Sequence, residues 1–228
     1  MNKVSAVIVA AGSSSRMMGI DKQLLEIDNV PVIIRSTMAY QNSDLVDNIV
    51  IVSRIDMVDK IEKLVDLYKI NKVSNIVIGG ENRAQSVING IKGCGDCEYI
   101  VIHDGARPFI SNEDIENTIK AAFEYDCAAL AKIATDTIKI MDDQNYISST
   151  VDRNYVCLMQ TPQVFKKSVY IDSIEKAQDL SLVTDDCMLL ENAGYKVKIV
   201  EAKSFNLKIT TPVDIDIANA YIRRQKNG

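Results

Sequence analysis

Apolar residues follow two alternating rhythms along this chain. Short, β-branched and almost wholly apolar runs fall at residues 4–10, 48–52, 75–78 and 99–102, as expected of strands buried on both faces of a parallel sheet. Between them apolar positions recur at helical spacing. Pro31 can open a helix that continues to about Gln41, and residues 56–68 and 83–91 supply two more. This alternation predicts an α/β fold with a doubly wound, mostly parallel sheet, in which ligands bind beyond the carboxyl ends of the strands. Between Ala128 and Phe165 the pattern changes to short strand-like pieces, including 137–141 and 146–151, separated by the polar turn Asp142-Asp143-Gln144-Asn145. That stretch predicts a β-hairpin arm over residues 134–155, projecting from the sheet. Helices near 168–178 and 184–193, a strand at 197–201 and a last helix from about Pro212 complete one domain spanning 1–228.

Composition narrows the class of protein. The 228 residues carry a formal net charge of −5, which argues against a nucleic-acid surface, since that needs a basic face. No apolar run approaches the roughly 20 residues that span a bilayer. The start Met1-Asn2-Lys3 leads straight into a strand and lacks a signal peptide's features, so a cytoplasmic location is expected. Five cysteines, an odd number, do not make a disulfide framework. Cys94 and Cys97 have C-x-x-C spacing, but no second pair follows and the single histidine is His103; a tight Gly-Cys-Gly-Asp-Cys loop explains them better than zinc.

The candidate chemistry lies in the loops after the strands. Ala10-Ala11-Gly12-Ser13-Ser14-Ser15-Arg16 followed by Lys22 lets the backbone approach a ligand, offers N–H groups and adds two cations, which suits a phosphorylated ligand. It is neither the dinucleotide pattern G-x-G-x-x-G nor a Walker A loop, and an ordinary strand-to-helix turn is the alternative. Three further loops combine small residues with charge: Gly79-Gly80-Glu81-Asn82-Arg83 with Ser86, His103-Asp104-Gly105-Ala106-Arg107-Pro108, and Asn206-Leu207-Lys208-Ile209-Thr210.

Taken in order, these pieces resemble the 2-C-methyl-D-erythritol 4-phosphate cytidylyltransferase family. Asp136-Thr137, Thr150-Val151-Asp152-Arg153, Gln160-Thr161-Pro162-Gln163 and Thr184-Asp185-Asp186 extend the likeness over nearly the whole chain. Three positions depart from the usual pattern. Gly12-Ser13-Ser14 stands where Gly-x-Gly is common, Asp21 precedes Lys22 where proline is common, and Gly105-Ala106 replaces Ala-Ala. The resemblance implies a Rossmann-like nucleotidyltransferase fold that joins CTP to a polyol phosphate with release of pyrophosphate. It also implies Mg²⁺ or another divalent cation, and a homodimer in which the arm of one subunit reaches the other's site.

The resemblance further implies the residue roles. Arg16, Lys22, Arg153 and Lys208 would be catalytic. Ala10, Ala11, Gly12, Ser13, Ser14, Gly80, Glu81, Arg83 and Ser86 would bind CTP. Asp104, Arg107, Thr137, Arg153, Thr161 and Lys208 would hold the acceptor, and Asp104 would also help place the metal, which the CTP phosphates could otherwise hold. Simpler readings exist beside these: Ser86 as an ordinary helix residue, Asp104 as a cap, Arg107 as the partner of a nearby carboxylate. A phosphate monoester is already largely dianionic near neutral pH, so its attack needs cations rather than a protein base. His103 therefore reads as structural. Ribitol 5-phosphate is the rival acceptor, and a nucleotide-binding regulatory protein without activity is the rival from another class.

Overall fold

The computed structural model describes residues 2–12 and 21–227. Its elements are β1 (Val4–Val9), β2 (Glu26–Ile27), β3 (Val30–Pro31), α1 (Val32–Gln41), β4 (Asn48–Ser53), α2 (Val58–Leu67), β5 (Val73–Ile78), α3 (Arg83–Gly93), β6 (Tyr99–Asp104), α4 (Asn112–Tyr125), β7 (Cys127–Ile133), β8 (Ile138–Met141), β9 (Ile147–Val151), β10 (Cys157–Lys166), α5 (Lys167–Lys176), α6 (Asp186–Asn192), β11 (Lys198–Glu201) and α7 (Pro212–Asn227). The central sheet has seven strands in the order β11-β7-β10-β6-β1-β4-β5. β10 runs antiparallel to both its neighbours, and the other pairings are parallel.

The runs in β1, β4 and β6 are buried on both faces because helices cover both, whereas β5 is the edge strand and stays partly open, with Ile78 51% exposed. Ala6 and Ile8 of β1, Ile49 and Ile51 of β4 and Val101 of β6 pack with Ile33 of α1, Ile61 of α2 and Ile119 of α4. Val7, Val50, Val52, Ile100 and Ile102 face the other way, onto Val87 of α3, Tyr170 of α5 and Leu190 of α6. The two-residue period of the strands thus sorts one apolar run into two cores.

Three sequence expectations change. Helix α4 was not among the expected helices, although Ser111 caps it by accepting the Asp114 N–H at 3.1 Å. The 128–165 stretch is more than an arm: its outer parts belong to the long sheet strands β7 and β10, and only β8 and β9 form the separate hairpin. β6 runs two residues past the apolar run 99–102, so that His103 and Asp104, expected at the strand's carboxyl end, are its last residues. The turn of the hairpin is as expected, with the Asp142 carboxylate accepting the N–H groups of Gln144 and Tyr146. Cys94 and Cys97 are buried at the end of α3, where Gly95 turns the chain with a φ of 65°.

Candidate active site

The chain builds β1, β4 and β5 outward in one direction, then returns to lay β6 on the other side of β1. The carboxyl ends of β1 and β6 therefore flank the point where strand order reverses, and the loops that follow them border a crevice. Register places Val9 of β1 beside Asp104 of β6. Alternation along β6 then separates neighbouring residues. Asp104 falls on the face of Ile102, where α3 begins, while His103 points to the α1 side and packs its ring 5.0 Å from that of Tyr40.

Asp104 gathers three cations. Lys208 Nζ lies 2.8 Å and Arg107 Nε 3.3 Å from its Oδ2, and Arg83 Nε lies 4.0 Å from Oδ1. Burial opposes its charge, but Lys208, Arg83 and Arg107 outweigh burial and hold the carboxyl well below the usual carboxylate range. Each cation is delivered by a different element. Arg83 opens α3, whose N-terminus Asn82 caps by accepting the Gln85 N–H at 2.8 Å. Arg83 also meets the buried Asp186 of α6 at 2.6 Å, and the Tyr170 hydroxyl donates to the other oxygen of that carboxylate at 2.7 Å. Burial works against the Arg83 charge, and Asp186 and Asp104 restore and exceed what is lost, so it stays protonated.

Arg107 follows β6 by one turn, and its Nη1 donates to the Asn206 carbonyl at 2.9 Å. Lys208 arrives on the segment before α7, where Ile209 N–H donates to the Ala106 carbonyl at 2.8 Å. The buried Asn206 amide locks the same segment by donating to Thr161 O and to Gln160 Oε1, each at 2.9 Å.

Behind Asp104 runs a buried relay of hydrogen bonds. The Arg107 carbonyl can only accept, so His103 donates to it from Nε2 at 3.2 Å. Nδ1 must then accept, from the Thr161 hydroxyl at 3.0 Å, and Thr161 Oγ1 in turn accepts the Asp104 N–H at 3.1 Å. Burial lowers the His103 pKa to about 4, which keeps the ring neutral and this chain intact near neutral pH. His103 is thus structural, as the sequence suggests. Thr161, expected at the acceptor site, has its proton engaged by His103 and supports Asp104 from behind.

A cavity of about 390 Å³ opens over these groups, with Ala11, Gly12, Lys22, Gly80, Glu81, Arg83, Ser86, Asp104 and Lys208 in its wall. Nine expected residues, dispersed from 11 to 208, therefore meet in one place. Ala10 is different: it is buried beneath, and its N–H donates to Val52 O at 2.8 Å, so it extends the sheet instead of presenting an N–H to a ligand. Ser86 Oγ accepts the Gly80 N–H at 3.0 Å and donates to the Asn82 carbonyl at 2.9 Å, shaping the loop it was expected to serve. Gly79 is needed there because a Cβ would run into the Ala11 Cβ and come within 3.0 Å of Ser86 Oγ. Ser13, Ser14 and Arg16 lie outside the described residues.

A second cavity, of about 520 Å³, adjoins the first at Lys208 and is lined by Arg107, Lys132, Gln160, Lys203 and Asn206 among others. Thr137 and Arg153 line neither cavity. Both are exposed on the arm, where Arg153 Nη1 donates to the Thr135 carbonyl at 2.8 Å.

Several residues that shape the site carry no sequence signal for that role. Asp186 belongs to Thr184-Asp185-Asp186, yet nothing in sequence links it to Arg83 more than a hundred positions away. Asn206 shares a loop with Lys208, but only its contacts with Gln160 and Thr161 reveal it as a lock on that lysine. Gln23 beside Lys22 is buried in the cavity wall. Arg54 carried no local signal; its guanidinium reaches Asp21 at 2.7 Å.

The same arrangement of elements recurs in known proteins. The family model for 2-C-methyl-D-erythritol 4-phosphate cytidylyltransferase matches residues 4–224. A protein of that name from Clostridium botulinum is 40% identical over 98% of this chain and 99% of its own length, and one from Caldanaerobacter subterraneus is 42% identical over 97% and 99%. The crystal structure of 4-diphosphocytidyl-2C-methyl-D-erythritol synthase from Anaerococcus prevotii superposes with a TM-score of 0.87 at 34% identity, covering 97% of this chain and 96% of that one. Fold and sequence agree, and this chain belongs to the 2-C-methyl-D-erythritol 4-phosphate cytidylyltransferase family.

Proposed function

We propose that the protein transfers the cytidylyl group of CTP to 2-C-methyl-D-erythritol 4-phosphate in the non-mevalonate route to isoprenoid precursors. The products are 4-diphosphocytidyl-2-C-methyl-D-erythritol and pyrophosphate. Beyond family membership, the observation that carries this reading is the junction of two cationic cavities at Lys208. One takes the nucleotide and the other the acceptor phosphate, so that their reacting atoms meet at the shared lysine.

An oxygen of the acceptor phosphate attacks the α-phosphorus of CTP. The new P–O bond forms as the bond to the bridging oxygen of the β-phosphate breaks, and the electron pair leaves on pyrophosphate. Two anions must be brought together and the departing charge stabilised, so positioned cations supply the catalysis. In this reading Lys22 and Arg16 hold the triphosphate, and Lys208 stabilises charge where the two substrates meet. Arg107 receives the acceptor phosphate, and Arg153 and Thr137 join it from the arm of a second subunit. Asp104 stays ionised, so it orients Lys208 and accepts from an acceptor hydroxyl, and it does not act as an acid. The Gly80–Ser86 turn, with Glu81, reads the cytosine and ribose.

The residues fit a divalent cation carried by the nucleotide. Among the described residues no group of three His, Cys, Asp or Glu side chains converges, and Asp104 and Glu81 are the carboxylates of the cavity wall. Mg²⁺ is commonly held by one or two carboxylates together with substrate phosphates. Asp104 would supply the protein ligand, and the ion would offset phosphate charge. A cytoplasmic location is part of this proposal; among the described residues no helix is long and apolar enough to cross a membrane.

The test is pyrophosphate release from CTP and Mg²⁺ with methylerythritol 4-phosphate, beside ribitol 5-phosphate as acceptor and ATP, GTP and UTP as donors. Release with CTP and methylerythritol phosphate alone is expected. Preference for ribitol phosphate overturns the acceptor, and CTP binding without release with either acceptor favours a regulatory role.

A further inference from the structure

Arg54 follows β4 directly, and its guanidinium touches three places at once. Nη2 lies 2.7 Å from Asp21 Oδ2, and Nη1 donates to the Gly12 carbonyl at 3.5 Å. Asp56 holds the fork from the other side through Nε at 3.0 Å and Nη2 at 3.1 Å, which fixes the plane of the guanidinium. Asp21 is itself tied into a turn. Its Oδ1 accepts the Gln23 N–H at 3.0 Å and its carbonyl accepts the Leu24 N–H at 3.2 Å. The Gln23 carbonyl accepts the N–H of Ile33, anchoring the turn to α1. Lys22 is the second residue of that turn and stands in the cavity wall.

We propose that Arg54 and Asp21 form a positioning pair, which ties the Gly12 carbonyl to the turn bearing Lys22 and so sets the reach of that lysine into the nucleotide cavity. This rests on reading the cavity as the CTP site. Neither residue lines that cavity, so the pair acts through Gly12 and Lys22 and not by touching the nucleotide. Arg54 and Asp21 are half-buried, with side chains 28% and 18% exposed, and ion pairs near the surface contribute about 1 kcal/mol or less to stability. A small displacement of a catalytic cation, in contrast, is costly in rate. The pair should therefore be visible in catalysis before it is visible in folding.

The experiment is a double-mutant cycle of Asp21→Asn, Arg54→Gln and the two combined, with Arg54→Lys as a fourth variant. Asparagine keeps an oxygen for the Gln23 N–H, which protects the turn. CTP binding at equilibrium, pyrophosphate release with both substrates varied and thermal unfolding are measured on each. We expect kcat/KM for CTP to fall roughly tenfold in either single variant and no further in the double, the mark of coupled neighbours. KM for the acceptor should hold, the melting temperature should move by only about 2 °C, and Arg54→Lys should recover part of the loss. Additive losses overturn the pair, as does a defect confined to Arg54→Gln, which would make Arg54 a direct nucleotide contact. Unchanged kcat/KM with lowered melting temperature also overturns it, as a purely structural bridge. A wild-type chain that neither binds CTP nor releases pyrophosphate overturns the functional reading together with the pair, whereas unaffected variants of an active enzyme overturn the pair alone.

Discussion

At the scale of single residues, the site separates charge that acts from charge that is held. Lys22 stands in the wall of the nucleotide cavity. If its charge is most needed as pyrophosphate departs, Lys22→Ala lowers kcat by a factor of about a hundred or more while CTP binding changes far less, as steady-state kinetics beside equilibrium binding would reveal. Equal losses in both would make it a ground-state contact. His103 gives a prediction of another kind. Burial holds its folded pKa near 4, below its usual 6.5. The unfolded chain therefore takes up a proton below about pH 6.5 that the folded chain refuses until about pH 4. Stability supported by the neutral ring is complete above this window and is lost as pH falls through it, by about 3 kcal/mol. Denaturant unfolding of the metal-free protein at pH 7 and pH 4.5 should show this loss, and His103→Gln should flatten it. The residue types at these positions were legible in sequence. That the Thr161 hydroxyl is engaged by His103 was not, because the two are 58 positions apart and meet only across the β6–β10 pairing.

At the scale of elements, α3 does most to bring the site together. Its first residue is Arg83, its cap is Asn82, and Gly90 lets its far end lie against the sheet, since a Cβ there would run into Val7 of β1 and Val52 of β4. Gly90→Ala should therefore cost about 1–3 kcal/mol by overpacking, despite alanine's higher helix propensity, and a denaturant titration measures it. A stabilised variant would mean that α3 can move away from the sheet. Asn82→Ala tests the other end: losing the cap should cost about 1 kcal/mol and also raise KM for CTP, because the same turn carries Gly80, Glu81 and Arg83. Strands β1, β4, β5 and β6 were all visible as apolar runs. The ends of β5 and β6 were not, since Val73 begins the one and polar His103 and Asp104 finish the other. Pairing with β1 keeps those two polar residues in the ladder.

At the scale of the whole molecule, the arm has no apparent task within a single chain. It exposes Met141, Tyr146, Ile147 and Tyr155, each at least 67% accessible, which is a large apolar surface for one small hairpin. Thr137 and Arg153 lie on it away from both cavities. A homodimer in which each arm covers the partner and completes its acceptor site accounts for both facts, and we retain it as a proposal. Sedimentation should show a dimer. Subunits inactivated by Lys22→Ala, mixed with subunits inactivated by Arg153→Ala, should recover activity as heterodimers form. No recovery despite proven exchange would return the acceptor site to a single chain.

The order of strands and helices outside α4, β7 and β10, the hairpin turn and the residue types of the site were determined locally, by apolar period, turn chemistry and charged loops, and could be read from the chain. Tertiary structure alone decided that β10 runs against its neighbours, that Asp104 draws Lys208, Arg107 and Arg83 together, and that Ala10 and Thr161 work behind the site. Those outcomes depend on pairing between segments far apart in the chain, and neither strand period nor loop composition encodes which segments will meet.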